Sequence, residues 1–126
     1  MTKSECISAL KLPLKNLGYR KKGGYWYREE NDIVHCVCVL GSQWNSEDYY
    51  IEIGIAIPNK VGHAPSLGNW CVRKICSDST GNNVNVDLEI FYSNLKRLCK
   101  IHSEKDLCKC INDICCVKIG EQYVLI

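Results

Sequence analysis

The sequence predicts an α+β domain in which an antiparallel sheet of about four strands packs against an N-terminal helix and two C-terminal helices. Three observations predict it: apolar residues recur at helical spacing at both ends of the chain, they alternate at period two in the middle, and turn residues separate these segments. The chain has 126 residues, of which 46% are hydrophobic and 24% are charged. That length and composition are typical of one globular domain spanning residues 1–126.

The first predicted element is a helix over residues 2–17. Thr2 and Glu5 have the spacing of a capping box, and Gly18 suits the position that follows a helix. Pro13 lies inside the pattern, so the helix either kinks there or consists of two short pieces. The apolar stripe that supports this helix comprises Cys6, Leu10, Leu14 and Leu17.

The centre of the chain predicts four strands. Residues 25–29 are largely aromatic, an Asn-Asp turn pair follows, and residues 33–40 are apolar on both faces, which together predict a hairpin with a covered second strand. Residues 49–57 alternate large apolar side chains with tyrosine, glutamate, glycine and alanine, which predicts a third strand. Residues 71–76 predict a short fourth strand.

Two further helices and a terminal strand are predicted from the second half. Helical periodicity begins near Val84 and carries an apolar stripe to Cys99. Ser103 with Asp106 resembles the N-cap of a last helix, whose apolar stripe we expect to continue to Cys115. Residues 122–126 are expected to form a short terminal strand.

Ten cysteines are the unusual feature of the composition. In a secreted chain of this size an even count would indicate a disulfide framework, but the N-terminal segment has no apolar core of signal-peptide length. No stretch approaches the ~18 apolar residues that a membrane span needs. We therefore expect a cytoplasmic protein whose cysteines are reduced and act mainly as small buried hydrophobes.

The sequence contains no arrangement of residues that indicates a catalytic site or a cofactor. Glycine-rich phosphate loops, nucleophile elbows and paired histidines at helical spacing do not occur. A cysteine nucleophile would need His35, His63 or His102 as its partner, and none of the three lies in a catalytic signature. We therefore expect a protein that is not an enzyme and that works by binding another macromolecule.

Two groups of cysteines have spacing that a metal could use. Cys36 and Cys38 share one face of a predicted strand, about 7 Å apart, but their apolar surroundings favour core packing. A larger C-terminal group matches no standard zinc spacing, so packing is favoured there as well and no bound metal is expected. A metal- or redox-sensing role for it is the third hypothesis for function. The group comprises Cys99, His102, Cys108, Cys110, Cys115 and Cys116.

Charge is segregated along the chain, although its net value is only +2. No lysine or arginine occurs between Arg28 and Lys60, and six acidic residues lie in that segment. Aromatic residues lie among these charges, and aromatic anchors inside a charged rim are typical of protein interfaces. The predicted interface residues are Glu29, Glu30, Asp32, Trp44, Glu47, Asp48, Tyr49 and Glu52.

A basic run beside aromatic residues provides an alternative. Residues 20–22 are all basic and, with Gly23 and Gly24, are predicted as a turn; they are flanked by Tyr19 and by three consecutive aromatic residues at 25–27. Cations combined with aromatic rings are how proteins hold single-stranded nucleic acids. The run is short, and the pI near 8.0 is below that of a basic nucleic-acid-binding domain. A nucleic-acid-binding accessory protein that uses Arg20–Arg28 is therefore the second hypothesis.

Two segments of the sequence resemble a known bacterial family. Residues 9–29 read ALKLPLKNLGYRKKGGYWYRE, and residues 41–57 read GSQWNSEDYYIEIGIAI. Together they are similar to the family called domain of unknown function 4304, which has a leucine-rich helix with an internal proline, a basic glycine-containing turn, an aromatic strand and an aliphatic strand. Here Ser42 precedes Gln43, whereas the family tends to place glutamine before serine, and the second half of the chain departs further.

The resemblance implies an α+β domain with an antiparallel sheet and no assigned enzyme activity, and it transfers no catalytic residue. Small bacterial domains of this kind are similar to immunity proteins encoded beside secreted or contact-dependent toxins. Such a protein occludes the active site of a toxin by tight binding. The leading hypothesis is therefore an immunity protein, or antitoxin, that neutralises the C-terminal nuclease domain of a contact-dependent inhibition system or another secreted effector. The segment Glu29–Glu52 is expected to approach this basic partner.

Overall fold

The structure, a computed structural model, describes residues 2–41, 49–58, 70–78, 88–119 and 122–125. Its helices are α1 (Lys3–Asn16), α2 (Leu88–Cys99) and α3 (Glu104–Ile114). Its strands are β1 (Arg20–Lys22), β2 (Tyr25–Glu30), β3 (Ile33–Gly41), β4 (Tyr49–Ala56), β5 (Trp70–Asp78), β6 (Cys115–Ile119) and β7 (Gln122–Leu125). These strands form one sheet in the order β1-β2-β3-β4-β5-β7-β6.

The predicted α+β class is confirmed, with the N-terminal helix, the two C-terminal helices and the antiparallel sheet in place. Strands β2 to β5 correspond to the four predicted strands, and each pairs antiparallel with its neighbour. Strand β1 extends one edge, and β7 and β6 extend the other, with β7 parallel to β5. The four-stranded antiparallel block is therefore the centre of a larger sheet.

Two edge strands occupy residues for which the sequence predicts something else. Residues 20–22 are predicted as a turn, but they pair with β2 because the turn is shorter and consists of Gly23 and Gly24. Gly23 has φ of +62°, which the first central residue of a type II′ hairpin turn requires. Cys115 is predicted on the last helix, but it begins β6, whose residues pair with β7.

Helix α1 has both of its predicted caps. The N–H of Glu5 donates to the Thr2 hydroxyl at 3.1 Å, as in a capping box. At the other end, Gly18 has φ of +91° and its N–H bonds back into the last helical turn, as in a Schellman motif. Pro13 lies within one continuous helix, so the alternative of two short helices is wrong.

The helices cover one face of the sheet, and the larger core lies between helices and sheet. The buried residues of this core come from all three helices and from β2 to β5. Helix α1 contributes Cys6, Leu10 and Leu14; α2 contributes Phe91, Leu95 and Leu98; β4 contributes Tyr49, Ile51, Ile53 and Ile55.

On the opposite face of the sheet, aromatic rings lie over small residues. Trp70 packs in a cluster with Cys36, Cys38 and Ala56. A Cβ atom added to Gly54 would lie 2.6 Å from Cε3 of Trp70, so the indole lies directly over this glycine. Cys36 and Cys38 are buried in this cluster, as the packing interpretation predicts.

A β-bulge places Trp70 on this face. Ile55 pairs with Val72 and Ala56 with Trp70, so one residue of β5 is unpaired between them. Because of this extra residue, Val72 lies in the helix-covered core and Trp70 in the opposite cluster. None of the described helices is both long enough and apolar enough to cross a membrane.

Candidate functional site

The structure places the predicted interface residues in different environments. Glu29, Glu30 and Asp32 lie at or beside the turn between β2 and β3, whereas Tyr49 and Glu52 lie in β4. Only 1% of Tyr49 and 2% of Glu52 is exposed, so neither side chain can contact a partner in this structure. This corrects the prediction for these two residues, because both faces of the central strand β4 are covered. The remaining predicted residues, Trp44, Glu47 and Asp48, lie outside the described part of the chain.

The β2–β3 turn meets the start of α3 and forms what we call the acidic corner, which comprises Glu30, Asp32, Glu104 and Asp106. Glu29 pairs with Val34 and lies on the face of the sheet opposite the helices. The backbone N–H of Glu104 donates to Asp32 Oδ1 at 2.9 Å. The backbone N–H of His102 donates to Asp106 Oδ2 at 3.1 Å, and Asn31 Nδ2 donates to the carbonyl of His102 at 2.6 Å. Two segments that are distant in sequence therefore form one hydrogen-bonded acidic surface.

Glu30 connects the acidic corner to a polar network under the helices. Its Oε2 accepts from Arg28 Nη1 at 2.8 Å, and its Oε1 lies 2.6 Å from His102 Nδ1. Partial burial by itself raises the pKa of Glu30, but hydrogen bonds from His102 and Arg28 together hold that pKa below its ordinary value. Glu30 is therefore a carboxylate held in place by two cationic or donor groups.

His35 lies at the buried end of this network and is neutral at ordinary pH. Burial, followed by the positive charge of Arg28, lowers the pKa of His35 from 6.5 to about 4. Its Nε2 lies 2.9 Å from the carbonyl oxygen of Ile101, so a neutral ring donates the Nε2–H to this carbonyl. His35 therefore fastens β3 to the connection between α2 and α3, which is a structural role.

Arg28 extends the network to Tyr19 and Cys99. Its Nη2 lies 3.5 Å from Cys99 Sγ, and its guanidinium carbon lies 5.4 Å from the centre of the Tyr19 ring. Burial raises the pKa of the Tyr19 hydroxyl well above its ordinary range. One guanidinium thus contacts the end of α1, the end of α2 and Glu30 at the same time.

The C-terminal cysteine group does not assemble into a metal site in the described part of the chain. Cys99 contacts Arg28, and Cys108 is exposed on α3. No group of three His, Cys, Asp or Glu side chains that could hold a metal occurs among the described residues. The side chains of Cys110, Cys115 and Cys116 lie outside that description.

The basic run lies on the edge strand β1 and forms, with two tyrosines of β2, what we call the basic edge. It comprises Arg20, Lys22, Tyr25 and Tyr27. Arg20 pairs with Tyr27 and Lys22 with Tyr25, so all four side chains share one face of the sheet. The two tyrosine rings stack at 5.8 Å between centroids with 17° between their planes. Arg20 and Lys22 are exposed, and both tyrosines are half-buried.

An open groove of about 350 Å³ lies between the end of α1 and α2. Its lining residues are Leu17, Tyr92, Leu95, Lys96, Cys99, Lys100 and His102. No sequence pattern predicts this groove, because Leu17 and α2 are more than 70 positions apart. The one local signal is the pair of lysines at the end of α2, Lys96 on its last turn and Lys100 directly after it.

Residues 10–63 match the model of a family described as Domain of unknown function (DUF4304). This match supports the family resemblance of the two quoted segments. No curated protein and no solved structure matches the chain. The matched segment contains the basic edge, Arg28, Glu30 and His35, whereas Cys99, His102 and the lysines of the groove lie beyond it.

Proposed function

We propose that this protein is an immunity protein that binds the basic C-terminal toxin domain of a bacterial effector through its acidic corner. The observation that carries the proposal is the convergence of Asp32 with the start of α3, where Glu104 and Asp106 add two acidic residues to the predicted segment. A cluster of negative charge steers a basic partner toward the surface and raises the association rate. Neutralisation follows from occlusion of the toxin and requires no chemistry by the immunity protein.

The hydrogen bonds within the acidic corner favour such a role. The turn residues Asn31 and Asp32 are each bonded to the segment 102–104, so the backbone of the corner is held before a partner arrives. A surface that is already ordered loses less conformational entropy on binding. Asp32 is exposed, so its charge remains available to a partner.

The first experiment identifies the partner. The tagged protein is expressed together with its neighbouring genes and purified by affinity, and the proteins that copurify are identified by mass spectrometry. Recovery of a toxin domain in equal amount supports the proposal, and the growth of cells that express this toxin then measures protection. Recovery of nucleic acid without protein contradicts it.

A charge reversal then tests the surface. Glu104→Lys is expected to weaken the complex by about tenfold at low salt, and by less at high salt because screening reduces the steering. The matched control is Ser8→Lys with Asn16→Lys, two exposed positions on α1 that change the net charge by the same amount. Equal weakening by the control would show that net charge, and not the acidic corner, controls binding.

Nucleic-acid binding is a second candidate, and the register of β1 against β2 favours it. Arg20 and Lys22 lie next to a stacked pair of tyrosines. Cations that can contact phosphate and rings that can stack on bases are therefore on one face of the sheet. If this candidate is correct, Arg20→Glu with Lys22→Glu abolishes binding of a fluorescent single-stranded oligonucleotide measured by anisotropy. Lys11→Glu with Lys15→Glu on α1 is the control with the same charge change, and Glu104→Lys is expected to have no effect on this binding.

A further inference from the structure

The groove beside α2 has apolar walls. Leu95 is buried at its base, Tyr92 is half-buried, and 48% of Leu17 is exposed at its margin. Its volume of about 350 Å³ falls within the range of ~300–1,000 Å³ that small-molecule sites occupy. An exposed leucine beside an open apolar groove is surface that a ligand with an aliphatic segment would cover.

The margin of the groove is cationic. Lys96 lies on α2 and Lys100 directly follows the last residue of this helix; both are exposed and line the groove, so their like charges repel each other. Among the described residues that line the groove there is no acidic side chain. The third titratable group at the margin, His102, is hydrogen-bonded to Glu30. A negatively charged group between the two lysines would therefore relieve their repulsion.

We propose that this groove binds an amphipathic monocarboxylate, with its aliphatic chain against Leu17, Tyr92 and Leu95 and its carboxylate between Lys96 and Lys100. Apolar walls exclude a polar ligand such as a nucleotide, because its base and sugar would lose hydrogen bonds to water. The lysines disfavour an aliphatic cation for electrostatic reasons. This binding site adjoins the acidic corner through His102, which is bonded to Glu30 and Asp106, but it does not depend on the proposed immunity function.

Cys99 provides a readout within the groove, and Cys108 provides an internal control. Cys99 lines the groove, whereas Cys108 is exposed on α3 and does not line it. The protein is treated with iodoacetamide, and the alkylation rate of each cysteine is measured by peptide mass spectrometry. Sodium decanoate, below its micelle-forming concentration, is expected to slow alkylation of Cys99 several-fold and to leave that of Cys108 unchanged.

Ligands with the same chain and another head group test the charge argument. Decyltrimethylammonium is expected to give no protection of Cys99, and butyrate is expected to give little because its chain is too short to cover the apolar walls. Equal protection by decanoate and decyltrimethylammonium would overturn the role of the lysines. Absence of protection by decanoate would overturn the site.

A matched pair of variants completes the test. Lys96→Glu with Lys100→Glu is expected to weaken decanoate binding by about tenfold, measured by calorimetry, and to permit binding of decyltrimethylammonium. Lys105→Glu with Lys109→Glu has the same spacing and charge change at exposed positions of α3 outside the groove, and it is expected to bind decanoate normally. Equal loss in both variants would show that net charge attracts the anion and would overturn the proposal.

Discussion

The two faces of the sheet are both buried, but they are filled in different ways. On one face, helices α1, α2 and α3 supply leucine, isoleucine and phenylalanine side chains that pack onto the isoleucines of β4. On the other face, which we call the aromatic face, the described part of the chain supplies no helix. There, Trp70 and the half-buried Tyr25 and Tyr27 lie over cysteine, alanine and glycine.

The difference shows how one strand pattern can serve two cores. Where helices approach, strand residues must be large, because the distance between the layers has to be filled. Where rings belong to the sheet itself, the residues beneath them must be small, and Gly54 is the extreme case. The cysteines of β3 are therefore explained by volume, since Cys36 and Cys38 lie on the face of the small residues.

The largest expected effect comes from adding one atom to the aromatic face. In Gly54→Ala the new Cβ would clash with the backbone oxygen of Val72 and would lie 2.6 Å from Trp70, so strand β5 or the indole must move. We expect a loss of at least about 3 kcal/mol in the free energy of unfolding, measured by urea titration. Gly24→Ala is the control, because no atom lies within 4 Å of its added Cβ. A Gly54→Ala variant as stable as the control would contradict the close packing of this face.

The next effect compares removal of atoms from the two faces. Leu98 is fully buried under the helices, and Leu98→Ala should cost about 3 kcal/mol through lost burial and a cavity. Cys36→Ala removes a single sulfur from the aromatic face and should cost about 1 kcal/mol. The midpoints of urea unfolding measure both values. A larger loss for Cys36→Ala would mean that its thiol has a role beyond filling volume.

The third effect concerns a polar residue on the helix-covered face. His35 has a pKa of about 4 in the folded protein against an ordinary value of 6.5, so protonation favours the unfolded chain. The contribution of His35 to stability is therefore complete above pH 6.5 and decreases as the pH falls toward 4. Between pH 7 and pH 5 the free energy of unfolding should fall by about 2 kcal/mol from this residue alone.

His35→Gln isolates that contribution. The amide of glutamine can still donate to the carbonyl of Ile101, but it does not titrate in this range. The variant should therefore lose less stability than the wild type between pH 7 and pH 5. Glu30 also lowers the free energy of unfolding as the pH falls, but only at lower pH. Its pKa is lowered in the folded protein, so the carboxylate stabilises the fold above its ordinary pKa, and this contribution is lost as the pH falls through the lowered pKa. Identical pH profiles of variant and wild type would exclude His35 as the source.

Local signals predicted the helix-covered face well. The Thr2 cap, the turn at Gly18 and the period-two pattern of β4 each depend on residues close in sequence, and the structure confirms all three. The burial of Glu52 was not predictable in this way. A period-two pattern shows that the two faces of a strand differ, but it does not show what covers each face. The position of Trp70 depends on a bulge, which leaves no periodic signal.

The candidate site was predictable only in part. Glu29, Glu30 and Asp32 are conspicuous because they are adjacent acids in a segment without bases. The residues that contact Glu30 and Asp32 at the acidic corner are about 70 positions away, as is Cys99 from Arg28, and no sequence pattern connects such distant positions. The groove likewise depends on how α1 ends against α2.

The smallest effect tests whether the rings of the aromatic face cooperate. Tyr25 and Tyr27 stack at 5.8 Å, and aromatic pairs at such distances contribute about 0.5–1 kcal/mol beyond their separate burial. A double-mutant cycle with Tyr25→Leu and Tyr27→Leu, measured by urea unfolding, should give a coupling energy of this size. Leucine keeps an apolar side chain at each position, so the cycle removes the stacking more than the burial. A coupling energy of zero would mean that the two rings do not stabilise each other, and that each is held by its other neighbours, which include Trp70 at the edge of Tyr25 and the small residues beneath.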